Sequence, residues 1–164
     1  MSNTAEQRLQ LLEDRNAIQE LEIRYAMAID QHNFELLDSV FAANADFIYQ
    51  GFGEFTGVEK FKALVQKNDA FLDATHHMVM SQSITVTGDV ATCYCYVQAQ
   101  HIRQSLAPDI MLLMGGNYAD KLERIDGHWL IVERNMSTLW GMGNPAVLDM
   151  PADTAFIQSV SARP

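Results

Sequence analysis

Basic residues are scarce. Lys and Arg number 11 against 21 Asp and Glu in 164 residues, a formal charge of −10. A phosphate backbone is bound by clustered cations, so nucleic acid is not an expected partner, and an anionic membrane surface is disfavoured for the same reason. No apolar stretch approaches the length of a bilayer span, and the polar N-terminus has no signal-peptide core, so a cytoplasmic protein is expected. Cysteine is also rare. Cys93 and Cys95 sit two apart in an apolar strand, on one face but unable to join, and they supply too few ligands for structural zinc. Both are expected to be small buried core residues. The five histidines are scattered with no close-spaced ligand pair, so neither a metal nor a cofactor is expected. A phosphate-cradling loop is missing too, because Gly51-Phe52-Gly53 leads into a strand rather than a helix.

What is present is apolar: 48% of the chain is hydrophobic, enough for one domain with a substantial core. Thr4-Ala5-Glu6-Gln7 has the form of a capping box, and helical spacing follows to about Asp30 through Leu11, Ile18, Leu21, Tyr25 and Ile29. Asp30 continues the widened stripe four positions after Ala26, an odd place for an unused carboxylate. Phe34, Leu37 and Phe41 predict a second short helix with Asn33 as its cap. Asp46–Gln50 predicts a strand that turns at Gly51-Phe52-Gly53, and Gly57 opens a third helix with Val58, Phe61, Leu64 and Val65 inward. Four long strands follow: Thr75–Val86, Ala91–Arg103, Ile110–Arg124 and Trp129–Thr138. Gly88-Asp89 and Asp126-Gly127 are their hairpin signals. Residues 1–140 thus form one domain and 141–164 an irregular tail suited to covering a pocket mouth or lying along a neighbouring subunit. The order implies an α+β fold: a cone-shaped, curved antiparallel sheet whose concave face is closed by the long N-terminal helix, leaving a cavity between them.

The candidate chemistry lies in that cavity. A carboxylate (Asp30) beside an imidazole (His77) can move protons between carbon and oxygen, and a phenol (Tyr25) can donate to a developing oxyanion. Strand alternation governs which imidazoles cooperate. With a three-residue turn after Thr87, His77 falls opposite His101; with a two-residue turn, His76 does. His77 is favoured. Taken singly, each of these side chains is more often structural than functional; the argument rests on their conjunction.

The segment Leu12–Leu21 with Tyr25, Asp30 and Phe41-Ala42 resembles the opening of SnoaL-like proteins of the nuclear transport factor 2-like superfamily. Thr75-His76-His77, Thr87–Ala91, Gly115-Gly116-Asn117-Tyr118 and Arg124–Trp129 share the resemblance, which covers roughly residues 10–140. The most similar branch holds scytalone dehydratase, bile-acid dehydratase and lindane dehydrochlorinase, which eliminate water or HCl with an Asp-His pair and no cofactor. The resemblance implies that Asp30 and His77 are that pair, that Tyr25 matches a catalytic tyrosine, and that Tyr49 and His101 match a second tyrosine and histidine. It departs at Ile29, where the scytalone enzyme has a tyrosine, and at Tyr118, near its asparagine, with Asn117 one place off. Arg134 and Glu133 are expected in surface or ion-pair roles.

The expected function is a dehydratase-like lyase acting on a small hydrophobic carbonyl compound such as a steroid, polyketide or aromatic metabolite. Tyr118, Asn117, Trp140, Phe55 and Met78 are the expected substrate contacts. A non-catalytic binding module, an isomerase or cyclase of the same fold, and the small subunit of a ring-hydroxylating oxygenase are the rival readings. A homodimer or homotrimer is expected.

Overall fold

Helix α1 begins where the sequence supplies its cap. In the computed structural model, which describes residues 4–50, 53–152 and 154, Thr4 Oγ1 accepts the Gln7 backbone N–H at 3.2 Å and Gln7 Oε1 accepts that of Thr4 at 2.9 Å. Two amides that a helix start leaves open are thereby satisfied. α1 spans Ala5–Asp30. Ile18, Leu21, Tyr25, Ala28 and Ile29 are buried along one face, at the three- and four-residue spacing of an amphipathic helix. His32, in the left-handed region at φ 56°, turns the chain away.

A 3-10 turn, Phe34–Ser39, follows, and Asn33 makes no side-chain cap to it. Phe41, expected on a second helix, instead opens strand β1 (Phe41–Tyr49). Sheet pairing overrides the local spacing there: Ile131 N–H donates to Val40 O at 2.9 Å, and Phe41 pairs with Ile131. β2 (Gly53–Thr56) returns antiparallel to β1; Gly51 and Phe52 of the expected turn lie outside the described residues. Gly57, at φ 104°, admits the sharp entry into α2 (Val58–Asp69).

Strands β3 (Ala74–Thr87), β4 (Val90–Ile102), β5 (Met111–Ile125) and β6 (His128–Gly143) complete a six-stranded sheet ordered β2-β1-β6-β5-β4-β3. All pairings are antiparallel except β1 with β6, which is parallel. Extra residues interrupt the ladders in β3 after Met80 and in β6 opposite Gly115–Gly116 and Lys121–Leu122. The α+β class and the helix across the concave face are as the sequence implies. Phe41, Phe47 and Phe61 pack at the core, with Phe47 and Phe61 stacked at 4.5 Å. Cys93 and Cys95 are free and buried.

The expected tail is partly ordered. β6 runs past Trp140 to Gly143, and Pro145–Leu148 forms a 3-10 turn capped by Asn144, with Val147 buried. Arg103 fixes this turn by donating to Ala146 O and Asp149 Oδ1. Residues 155–164 lie outside the described residues.

Asp14 ties the N-terminal half of α1 to the β5–β6 hairpin. It accepts from Arg124 Nη2 at 2.8 Å, Trp129 Nε1 at 3.1 Å and Gln10 Nε2 at 3.1 Å. Burial alone would raise its carboxyl, but these donors outweigh it and hold the group below its ordinary 3.8. A depressed carboxylate stabilises the fold fully above the unfolded value and loses that contribution as pH falls through the native one. Thermal melts between pH 2 and 7 should therefore show a steeper acid-side loss in the parent than in Asp14→Asn, with the two profiles parallel above about pH 5.

Candidate active site

The last turn of α1 and the first half of β3 meet at Asp30 and His77. Asp30 grips His77 twice: Oδ1 accepts from ring Nδ1 at 2.8 Å and Oδ2 from the backbone N–H at 2.8 Å. A carboxylate at Nδ1 fixes the proton there and leaves Nε2 as the basic nitrogen. Thr75 Oγ1 stands 3.5 Å from the same Nδ1.

Neither register expected from the turn length holds along the whole hairpin. The turn after Thr87 has two residues, pairing Thr87 with Val90, and this alone would bring His76 opposite His101. A bulge between Met80 and Ser83, with Ser81 at φ 59°, inserts one residue into β3. Beyond it His77 pairs with Ala99 and shares a face with His101 two pairs along; His76 is exposed. The two rings meet edge to face, with centroids 5.7 Å apart.

Both imidazoles line a cavity of about 130 Å³ between α1, α2 and the sheet. Ile29, Leu64, Val65, Val97 and Ala99 make its apolar walls, and Tyr25, Tyr49 and Tyr118 bring three phenols to it. Tyr25 Oη and Tyr118 Oη lie 3.4 Å apart, and Tyr49 Oη has no hydrogen-bond partner among the described residues. Burial, with Tyr25 alongside, pushes the Tyr49 and Tyr118 phenols well up, so both remain protonated donors. The five expected catalytic side chains, Asp30, His77, Tyr25, His101 and Tyr49, thus gather at one place.

The expected substrate contacts divide. Tyr118 lines the cavity and Met114 joins it. Asn117, one residue away, is not among the lining residues, as alternation along β5 requires. Met78 is exposed on the outer face for the same reason. Phe55 on edge strand β2 stacks on Phe47 at 5.2 Å, adding to the core rather than the lining. Trp140 packs where a side chain of Gly115 would stand, since a Cβ there would meet the indole at 2.1 Å. Asn68, Asp69, Thr75 and Leu148 line the cavity without having been singled out by the sequence.

Of the surface or ion-pair roles expected for Arg134, it takes the ion-pair one, but fully buried, donating to Asp120 at 2.6 and 2.9 Å and to Glu22 at 2.7 Å. Its guanidinium lies 4.3 Å from the Tyr25 ring centre and 4.1 Å from that of Tyr118, so it backs two of the three phenols. Burial pushes Glu22 well up against the pull of Arg134, with Asp120 adding to the rise, so the cluster tends toward one cation balanced by one anion. Glu133, by contrast, forms a surface pair with Lys121. Glu22, Cys93 and Cys95 bring three potential ligand atoms within 4.8 Å of one another. They suit a cation poorly: the Arg134 guanidinium pairs with Glu22 Oε2 and would stand beside any bound cation, and the hydrogen bond with Cys93, together with burial, holds the Cys95 thiol well up.

Burial, reinforced by the neighbouring His77 ring, draws His101 down from its ordinary 6.5 to about 4. It is neutral at pH 7 and acts as a hydrogen-bonding imidazole rather than a ready acid. Because the folded value is depressed, the unfolded chain binds the proton first, and stability falls as pH drops from about 6.5 to about 4. Histidine ring NMR signals followed from pH 8 to 3.5 should show His101 titrating below pH 5; a midpoint near 6.5 would contradict its desolvation.

Among known proteins, a SnoaL-like domain profile matches residues 10–135. A Penicillium crustosum protein called terrestric acid biosynthesis cluster protein E is 30% identical over 145 residues, covering 83% of this chain and 90% of its own. The Kfla4162 protein of Kribbella flavida superposes with a TM-score of 0.79 at 23% identity, over 85% of this chain and 99% of its own. The hexachlorocyclohexane dehydrochlorinase LinA-type3 of Novosphingobium barchaimii gives 0.75 at 20% identity, over 88% and 99%. With the profile spanning most of the chain, and with these neighbours sharing its fold, this protein belongs to the SnoaL-like family.

Proposed function

We propose that the protein is a cofactor-independent, dehydratase-like lyase that removes a proton α to a carbonyl in a small apolar compound and expels a β-hydroxyl. The double grip of Asp30 on His77 carries this reading, because it leaves one basic nitrogen in a fixed ring at an apolar cavity. His77 Nε2 takes the α-proton while Asp30 stabilises the imidazolium. The enolate oxygen is met by phenol donors from Tyr25, Tyr49 or Tyr118. As the enolate collapses to the C=C bond the β C–O bond breaks, and the departing hydroxyl, hydrogen-bonded by His101, leaves as water with the proton that His77 Nε2 took from the α-carbon. Dehydrochlorination by a protein of the same fold is the kindred elimination, and the Penicillium relative's name places it in a biosynthetic cluster. A non-catalytic binding module is less well supported, since it gives no reason for a carboxylate to orient a cavity imidazole.

The cavity of about 130 Å³, open at its mouth, is on the scale of one six-membered ring, given that a cavity of roughly 150 Å³ holds benzene. One ring at the phenols with a second group reaching out along the mouth, or a short polyketide, is therefore a better occupant than a fused four-ring steroid. Proton abstraction can be tested before the natural substrate is known. In D2O the protein should catalyse deuterium exchange at the α-carbon of cyclohexanone, followed by NMR. His77→Gln or Asp30→Asn should lower that rate by about 10²–10⁴, and an unchanged rate in His77→Gln sinks the scheme.

We also propose that the protein is a homodimer or homotrimer assembled through the outer face of β3 and β4, where Met78, Met80, Tyr94 and Tyr96 are exposed together. Met80 and Tyr96 are cross-strand partners and the two tyrosines pack edge to face at 5.8 Å, so the patch is continuous. Light scattering should give two or three times the 18.4 kDa chain mass, and Tyr96→Lys should return the monomer. Among the described residues no helix is long and apolar enough to cross a membrane, which fits the cytoplasmic location proposed from composition.

A further inference from the structure

The cavity has a deep end and a rim of different character. At the deep end stand the buried phenols of Tyr25, Tyr49 and Tyr118. Toward the rim, half-buried Asn68 and Asp69 close α2, and Leu72 and Leu148 flank them. Along α2 the lining runs from Phe61 to Asp69, two helical turns or about 12 Å.

Among the rim residues, Asp69 carries the charge-bearing group. Its Oδ2 pairs with the His32 ring Nδ1, while its Oδ1 is shut off from solvent and has no hydrogen-bond partner among the described residues. A buried carboxylate oxygen with unused lone pairs is costly, and a donor arriving with a ligand relieves that cost. Neither Lys nor Arg lines the cavity among the described residues. Of the guanidiniums near it, Arg134 lies behind the tyrosine rings, engaged by Asp120 and Glu22, and Arg103, over Phe71 beside the rim, is engaged by Ala146 O and Asp149. A ligand carboxylate or phosphate would therefore meet Asp69 with no cation to offset it, in a chain of formal charge −10. An ammonium would lose its hydration against Leu64, Val65 and Leu72, so a neutral donor is the better match.

We propose that Asp69 is a specificity-determining residue: it selects an elongated, uncharged carbonyl compound whose far end carries a hydroxyl, donated to the Asp69 carboxylate while the carbonyl lies at the phenols. This inference rests on the proposed function only for the direction in which the ligand enters. It separates the labour of the cavity: the deep end handles the reacting oxygen, and the rim reads the remote substituent.

Equilibrium binding to the whole protein tests this with three probes that share one skeleton: 4-phenylcyclohexanone, 4-(4-hydroxyphenyl)cyclohexanone and 4-(4-oxocyclohexyl)benzoate. The hydroxyl compound should bind about tenfold more tightly than the phenyl compound, as expected for a hydrogen bond to a charged group, and the benzoate should bind weakest. In Asp69→Ala the two neutral ketones should come within about twofold of each other. Equal affinity of the neutral pair for the parent protein, or a benzoate that binds as tightly as the hydroxyl compound, overturns the proposal even if the variant does not fold. Titrating the same probes into His77→Gln keeps the two readings apart. Unchanged α-proton exchange in His77→Gln with the ranking intact counts against the catalytic scheme alone, whereas a parent protein that binds none of the three ketones defeats both.

Discussion

A guanidinium with no access to water governs the interior of this protein. Arg134 can remain charged there only because Asp120 from the neighbouring strand and Glu22 from the covering helix meet it at hydrogen-bonding distance. That requirement fixes the position of α1 on the sheet, both along its axis and in rotation. The ring of Tyr25, one turn after Glu22, is laid against the guanidinium, and Asp30, about 12 Å from Glu22 along the axis, is brought to β3. Apolar packing alone tolerates sliding, whereas a buried ion cluster does not. The cluster at one end of the cavity and the Asp30–His77 contact at the other are thus coupled through a single rigid helix.

The polar groups of the cavity are held in distinct states by their surroundings. The phenols stay protonated because burial opposes the phenolate. His101 stays neutral because burial and a second imidazole oppose its cation. His77 differs from both, since it alone has a carboxylate at its ring nitrogen. Two histidines on one face, less than 6 Å apart, therefore acquire different characters. Such an arrangement suits proton abstraction by one group and neutral hydrogen bonding by the others, with little reorganisation of the surrounding dipoles.

Strand phase accounts for most of what the residues alone conveyed imperfectly. Simple alternation from Trp129 and Ile131 sends Glu133 inward and Arg134 outward; the bulge opposite Lys121 and Leu122 adds a residue to β6 and reverses this. The same device in β3 turns His77 inward despite a two-residue turn that would have chosen His76. Neither bulge is announced by its residues: no glycine or proline marks Ser81-Gln82 or Val132. Where alternation is unbroken, as from Gly116 to Leu122 along β5, Tyr118 facing inward and Asn117 facing away follow directly from the pattern. Phe41 illustrates a different limit, since a helical spacing of three apolar residues yields to a sheet partner that local sequence does not display.

The sequence by itself determined the elements: a capped helix ending in an acid, four long strands with tight-turn signals, buried thiols, and an excess of acidic over basic residues. These follow from periodicity and charge, which act between near neighbours in the chain. It also carried the residues through which SnoaL-like membership was visible. Only the tertiary structure decided that Asp30 and His77 touch, that Arg134 is enclosed beneath two tyrosines, that Trp140 and Phe55 serve packing, and that Asp69 stands at the cavity rim. These contacts join segments far apart in sequence, and their geometry depends on bulges and on the seating of α1, which are settled by the packing of the whole sheet rather than by any stretch of it.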